Sequence, residues 1–136
     1  MLNRLHTRKL IDLLERQQPD AVISTHFLIS DVVSRLKLKG RIRARLVTVI
    51  TDYGVHPFWV AAGTYVYCVA TEHTKKELLR LRVPERRIRI TGIPVAEQYY
   101  AKFKKQELRA SLGLDPERFT IILITGSFGL GPLEDI

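Results

Sequence analysis

The apolar positions Leu10, Leu13 and Leu14 share one face of a helix over residues 4–18, with Asn3 placed to cap it. Pro19-Asp20 ends that helix. Residues 21–25 (Ala-Val-Ile-Ser-Thr) then read as a short strand. Leu28, Ile29, Val32, Val33 and Leu36 return at helical spacing as far as Gly40. Residues 46–50 (Leu-Val-Thr-Val-Ile) form a second strand, a loop follows over 51–59, and 66–70 is a third strand. Residues 72–82 predict another helix, closed by Val83-Pro84, and 88–91 a fourth, shorter strand.

Strands alternating with helices of this length predict an α/β fold with a parallel sheet covered on both faces. The strands are rich in β-branched residues and nearly continuous in hydrophobicity, as such a sheet requires. Gly92-Ile93-Pro94 punctuates the chain. Residues 97–112 then predict a basic helix without a strong apolar stripe, ended by Gly113 in the left-handed region. Residues 119–125 are the most strand-like run and lead into a glycine-rich loop at 126–132. A central strand without a partner or covering helix would expose apolar surface and unpaired backbone. The expectation is therefore a piece of a longer protein, with a boundary near residues 92–98.

Composition narrows the class. With 136 residues, 46% of them hydrophobic, the chain supports one ordinary core rather than disorder or two full domains. Cys68 has no partner for an internal disulfide and reads as a buried strand thiol. No apolar run after Met1 marks a signal peptide. Residues 53–71 lack Asp, Glu, Lys and Arg, but Gly54, Pro57, Gly63 and His56 interrupt them, so a loop feeding a strand fits better than a membrane span.

The formal net charge of +8 favours polyanionic partners: nucleic acid, anionic lipid or phosphate-bearing substrates. It is concentrated where every second residue is basic (Arg35, Lys37, Lys39, Arg41, Arg43, Arg45), a run that equally reads as a solvated helix end and loop. Nucleic acid is disfavoured, because the aromatics gather in one loop and at Tyr65 and Tyr67 instead of interleaving with the cations.

Ligands of open parallel sheets bind beyond the carboxyl ends of the strands. That rule selects residues 24–27, 51–59, 91–94 and the glycine-rich loop. The loop suits phosphate, through close backbone approach and a following helix N-terminus, and equally suits a tight structural turn. It is neither the dinucleotide fingerprint nor a P-loop. Asp52 and His56, four residues apart, are candidates to share a site, while Pro57 stiffens the approach to Phe58-Trp59. A capped turn with packed aromatics is the plainer alternative. No Cys/His spacing suits a metal, so none is expected.

Several segments in this order resemble the processive diacylglycerol glucosyltransferases and monogalactosyldiacylglycerol synthases. They are Pro19-Asp20-Ala21-Val22-Ile23-Ser24-Thr25-His26, then Thr51-Asp52-Tyr53-Gly54-Val55-His56-Pro57-Phe58-Trp59, then Ile90-Thr91-Gly92-Ile93-Pro94 and finally Gly126-Ser127-Phe128-Gly129-Leu130-Gly131-Pro132. The resemblance runs from Pro19 to Pro132 and implies a GT-B glycosyltransferase of two Rossmann-like lobes. Residues 1–95 would be the second half of the N-terminal, acceptor lobe. Residues 96–117 would be interlobe linker helices, and 118–136 the first strand of the C-terminal, donor lobe.

The implied activity is inverting transfer of a hexose from UDP-glucose or UDP-galactose to diacylglycerol, in glycolipid biosynthesis, without metal or cofactor. Asp52, His56, Phe58 and Trp59 would bind the acceptor, and Gly126, Ser127, Gly129 and Gly131 the donor diphosphate. The family's proposed general base, a histidine in an earlier glycine-rich loop, would precede Met1, so no catalytic residue is assigned and the chain alone is expected to be inactive. Arg41, Arg43, Arg45 and Trp59 would contact an anionic membrane at its cytoplasmic face, as a peripheral, monotopic attachment. A glycosyltransferase of the same architecture with another lipid acceptor, and a basic module for anionic membrane or nucleic acid, are the alternatives.

Overall fold

Four parallel strands lie side by side in the order in which they occur along the chain. The structure, a computed structural model, describes residues 4–122. The donor-loop residues Gly126, Ser127, Gly129 and Gly131, and the cap residue Asn3, lie outside the described residues. The chain divides into two units, residues 1–95 and 96–136.

The first unit runs α1 (Arg4–Gln17), β1 (Ala21–Ser24), α2 (Phe27–Leu38), β2 (Arg45–Val49), a 3-10 turn (Pro57–Trp59), β3 (Thr64–Val69), α3 (Glu72–Arg80), a second 3-10 turn (Glu85–Arg87) and β4 (Ile88–Ile90). Pairing sets Ser24 against Thr48, Val49 against Cys68 and Val69 against Ile90. A register shift between Leu46 and Val47 leaves Tyr65 as the extra residue of β3. The segment leading into β2 alternates, with Ile42, Ala44 and Leu46 buried and Arg41, Arg43 and Arg45 exposed. Of the alternating cations, Arg35, Lys37 and Lys39 end α2, and Arg41, Arg43 and Arg45 form an exposed edge leading into β2.

Among the described residues both core clusters lie on one face of the sheet rather than on both. Leu14, Val33, Leu36, Ile42, Ala44 and Leu46 make one core cluster with Val22 beside it, and Ile50, Trp59, Tyr67, Val69, Leu78, Val83 and Ile88 make the second. Every strand residue in these clusters belongs to the same side. Parallel crossovers are right-handed, so a sheet laid out in chain order carries all its connections on one side. The opposite face presents Ile23, 71% exposed, partly exposed Val47, Val66 and Cys68, and buried Val49. Cys68 is therefore half-buried, contrary to the expected buried thiol. Leu13, expected in the core, is also exposed, and Leu14 of the same stripe is the buried residue.

A buried hydroxyl chain joins α2 to the sheet. Thr48 Oγ1 donates to Ser30 Oγ at 3.2 Å and lies 3.2 Å from Thr64 Oγ1. Gly63 brings β3 against α2. Its N–H donates to Ser34 Oγ at 2.8 Å, and a Cβ there would meet the Ser34 Cα at 2.9 Å. The absence of a side chain is the condition of that approach.

In the second unit the helix expected over 97–112 is broken into a 3-10 turn (Glu97–Tyr100) and α4 (Lys105–Ser111). Tyr99, Tyr100 and Phe103 are all exposed, and a helix that buries no face lacks the packing that sustains most helices in proteins. Gly113 has φ +67 as expected. Residues 119–122 form no strand among the described residues, and Phe119, Ile121 and Ile122 are exposed without a pairing partner.

Candidate functional site

Two turns leave the carboxyl ends of neighbouring strands and are capped alike. After β1, His26 precedes α2, and its Nδ1 accepts the Leu28 N–H at 3.2 Å. After β2, His56 precedes the Pro57–Trp59 turn, and its Nδ1 accepts the Phe58 N–H at 3.2 Å. Extended backbone at each histidine lets the ring fold back over the turn, as Ser or Asn does at an N-cap. With Nδ1 occupied as an acceptor, the neutral ring carries its proton on Nε2. Both imidazoles therefore offer a donor outward, which suits holding a hydroxyl or phosphate oxygen rather than removing a proton.

The rings converge. Phe27 stacks on His26 at 4.7 Å between centroids, meets Phe58 at 6.0 Å and meets Trp59 edge-on at 5.9 Å. His56 lies 4.4 Å from Phe58. Phe27, Leu28, Phe58 and Val60, with the Asp31–Arg35 ion pair at 2.9 Å, line a groove of about 340 Å³ between α2 and the 3-10 turn. That is the lower end of the size range of small-molecule sites.

The loop over 51–60 is held by three hydrogen bonds, one within it and two from α3. Trp59 Nε1–H donates to Asp52 Oδ2 at 2.9 Å. The Val55 N–H donates to Glu77 Oε2 at 2.7 Å, and Thr74 Oγ1 donates to the Tyr53 carbonyl at 3.1 Å, so α3 clamps the loop twice. Asp52 and His56 are brought to the same loop, but among the described residues no hydrogen bond or ion pair joins them. No three His, Cys, Asp or Glu side chains converge on a possible metal position among the described residues.

Of the four acceptor candidates, Asp52, His56 and Phe58 are exposed, whereas Trp59 is 2% exposed and part of the core. The indole is therefore not available to a membrane, and its expected contact there is corrected: a ring packed among Ile50, Tyr67, Leu78 and Ile88 cannot also sit in a headgroup layer. Phe58, 65% exposed, is the ring that reaches solvent. Arg41, Arg43 and Arg45 lie at the other end of β2, on the order of 15 Å along a five-residue strand. His26 and Phe27 fell within the segment 24–27 selected from sequence but were given no role, and Glu77 was not singled out. The matching His-x-Phe at His56 and the His-Phe at His26, each just past a strand, were the available signal; Glu77 had none.

The profile of the monogalactosyldiacylglycerol (MGDG) synthase family matches residues 1–95. Curated relatives are named processive diacylglycerol beta-glucosyltransferase. The protein of Staphylococcus epidermidis is 35% identical over 122 residues, 90% of this chain and 31% of that protein. That of Staphylococcus carnosus is 36% identical over 128 residues, covering 94% and 32%, and that of Staphylococcus aureus 31% identical over 122 residues, covering 90% and 31%. The chain thus spans about a third of the length of the relatives it matches.

Proposed function

Because the chain belongs to the monogalactosyldiacylglycerol (MGDG) synthase family, we propose that it supplies the acceptor side of a hexosyltransferase acting on diacylglycerol. The observation that carries this is the convergence of His26, Phe27, His56 and Phe58 at the carboxyl ends of β1 and β2. There a groove floored by Phe27, Leu28, Phe58 and Val60 and edged by the Asp31–Arg35 pair lies beside two outward ring N–H donors. Diacylglycerol has the same division, a small polar glycerol end on two apolar chains.

In this reading the Nε2–H groups of His26 and His56 hold glycerol and ester oxygens, and Phe27 and Phe58 receive the adjoining apolar stem. Asp52, fixed by Trp59, sets the shape of the loop. The acceptor hydroxyl attacks the anomeric carbon of UDP-glucose or UDP-galactose, the bond to UDP breaks, and the configuration inverts. The hydroxyl proton passes to a base outside these residues, and the glycines 126, 129 and 131 with Ser127 take the diphosphate. Neither metal nor cofactor takes part in this scheme.

No helix among the described residues is long and apolar enough to cross a membrane. Attachment is proposed to be peripheral, at the cytoplasmic face, with Phe58 meeting the lipid and Arg41, Arg43 and Arg45 adding salt-sensitive attraction to anionic headgroups at ~1 kcal/mol each.

In the intact enzyme, His56→Ala is expected to raise the KM for diacylglycerol by roughly tenfold, the worth of one hydrogen bond to a well-placed donor, with the KM for the UDP-sugar little changed. A larger effect on the UDP-sugar would move this loop to the donor side.

A further inference from the structure

Away from the acceptor loop, at the amino ends of β2, β3 and β4, four arginines lie about one ring. Arg86, Arg87 and Arg89 line a cavity of about 350 Å³ together with Tyr65 and Val66. The Arg45 guanidinium lies over the Tyr65 ring at 5.2 Å. Tyr65, the extra residue of the β-bulge, is 56% exposed and set between the start of β2 and β4. The acceptor groove uses none of these residues, and of them only Arg45 enters the proposed membrane attachment.

Among the described residues no ion pair joins Arg45, Arg86, Arg87 or Arg89 to a carboxylate. Glu85, the acid of that turn, is committed to Lys75 at 2.8 Å. The arginines instead touch backbone carbonyls: Arg87 Nη1 donates to Thr64 O at 3.3 Å, and Arg89 Nη1 to Arg86 O at 3.0 Å and Ile88 O at 2.9 Å. These bonds fix two guanidinium planes while leaving other N–H donors of each fork open. The field extends beyond the cavity. Burial lowers the Lys37 pKa from its ordinary value, and the charge of Arg87 lowers it further.

Uncompensated like charges fixed around one pocket are stabilised by an anion. A planar fork with several donors matches the oxygens of a phosphate group. We propose that Arg45, Tyr65, Arg86, Arg87 and Arg89 form a phosphate-binding site separate from the acceptor groove. The chemistry is that of a phosphate mono- or diester, supplied free in solution or as the headgroup of an anionic lipid. The site shares no residue with the acceptor loop; it shares Arg45 with the cations proposed to face the membrane, so the test substitutes Arg86 and Arg89, which that reading does not use.

The test is titration of the labelled 136-residue chain at constant ionic strength, following Tyr65 and arginine side-chain resonances. One arm uses inorganic phosphate. The other uses phosphatidylcholine vesicles with and without phosphatidylglycerol. Saturable binding in either arm, weakened at least about tenfold (the loss of one charge-assisted bond) in Arg86→Gln/Arg89→Gln and unchanged in Lys76→Gln, is the expected result. Saturation by inorganic phosphate identifies a soluble ligand, and binding confined to phosphatidylglycerol vesicles identifies a lipid headgroup. Two outcomes overturn the site: no saturable binding in either arm, or equal weakening by Lys76→Gln and the double variant, which is general attraction to a basic surface.

Discussion

The two ends of the same four strands are built by different forces. At the carboxyl end the loop over 51–60 is crosslinked. Trp59 bonds Asp52, α3 holds Val55 and Tyr53, and both histidines spend one nitrogen on a cap. At the amino end the arginines outnumber their partners. Arg41 reaches Glu15, but Arg43, Arg45, Arg86, Arg87 and Arg89 have no ion-pair partner among the described residues. One end is shaped by packing and directed hydrogen bonds and needs no ligand to hold its form. The other is charged beyond its own compensation and is completed by something brought to it. Strong, short-range bonds position a substrate, whereas accumulated charge recruits one from a distance.

The sharpest break in that comparison is Trp59→Ala. A Trp that is 2% exposed and packed on Ile50, Tyr67 and Leu78 is expected to cost roughly 3–5 kcal/mol when truncated, and Asp52 loses its donor as well. Urea unfolding measures this. Arg43→Ala, at the amino end, is expected to stay within about 0.5 kcal/mol, as an exposed side chain without a partner should. If Trp59→Ala lost less than about 1 kcal/mol, the carboxyl end would not be a packed structure.

How legible each end was in the sequence follows from the same division. The four strands of the first unit and the first three helices were legible because apolar periodicity is a local signal. The side on which the helices pack was not, since it depends on strand order and crossover handedness. Trp59 sits in a loop with Phe58, and the run Phe58-Trp59 reads alike for a core and a membrane ring. Burial separated them: Phe58 faces out and Trp59 faces in. His56 and Asp52 were legible as exposed neighbours in one loop, but the Glu77 clamp, twenty-two residues from Val55, had no local trace. Residues 97–112 were read as one helix on composition, and without a buried stripe they do not hold together as one.

A middle-sized effect tests the clamp itself. Glu77→Ala removes the carboxylate that accepts the Val55 N–H at 2.7 Å and that lies 3.5 Å from His73. Glu77 is partly buried, so the expected loss is about 1–3 kcal/mol, the cost of a partly buried donor left without its charged acceptor. Hydrogen exchange at the Val55 amide is the more telling measurement. It should speed up more than the global stability change accounts for, because the loop opens locally before the sheet does. Uniform acceleration across β2 and β3 would mean that the loop is held by the core alone and that the clamp is incidental.

The smallest effect comes from the charged end, and its sign is opposite. Lys37 is half-buried on α2, where desolvation first and Arg87 second hold its pKa below the ordinary lysine value of 10.5. A lowered pKa in the folded state means that folding disfavours the charged form. The penalty is fully present below the folded pKa and disappears as pH rises through it toward 10.5, where the unfolded chain also loses its proton. Lys37→Gln removes the penalty at neutral pH and is expected to stabilise by a few tenths of a kcal/mol, within the range of surface substitutions. The gain should fade at alkaline pH, as the wild-type lysine discharges. It should also shrink in high salt, which screens the Arg87 contribution but leaves the desolvation. Urea midpoints at neutral and alkaline pH, each at low and high salt, separate the two causes. A variant less stable than wild type at neutral pH would show that Lys37 makes a favourable contact and that the amino end is not over-charged at that point.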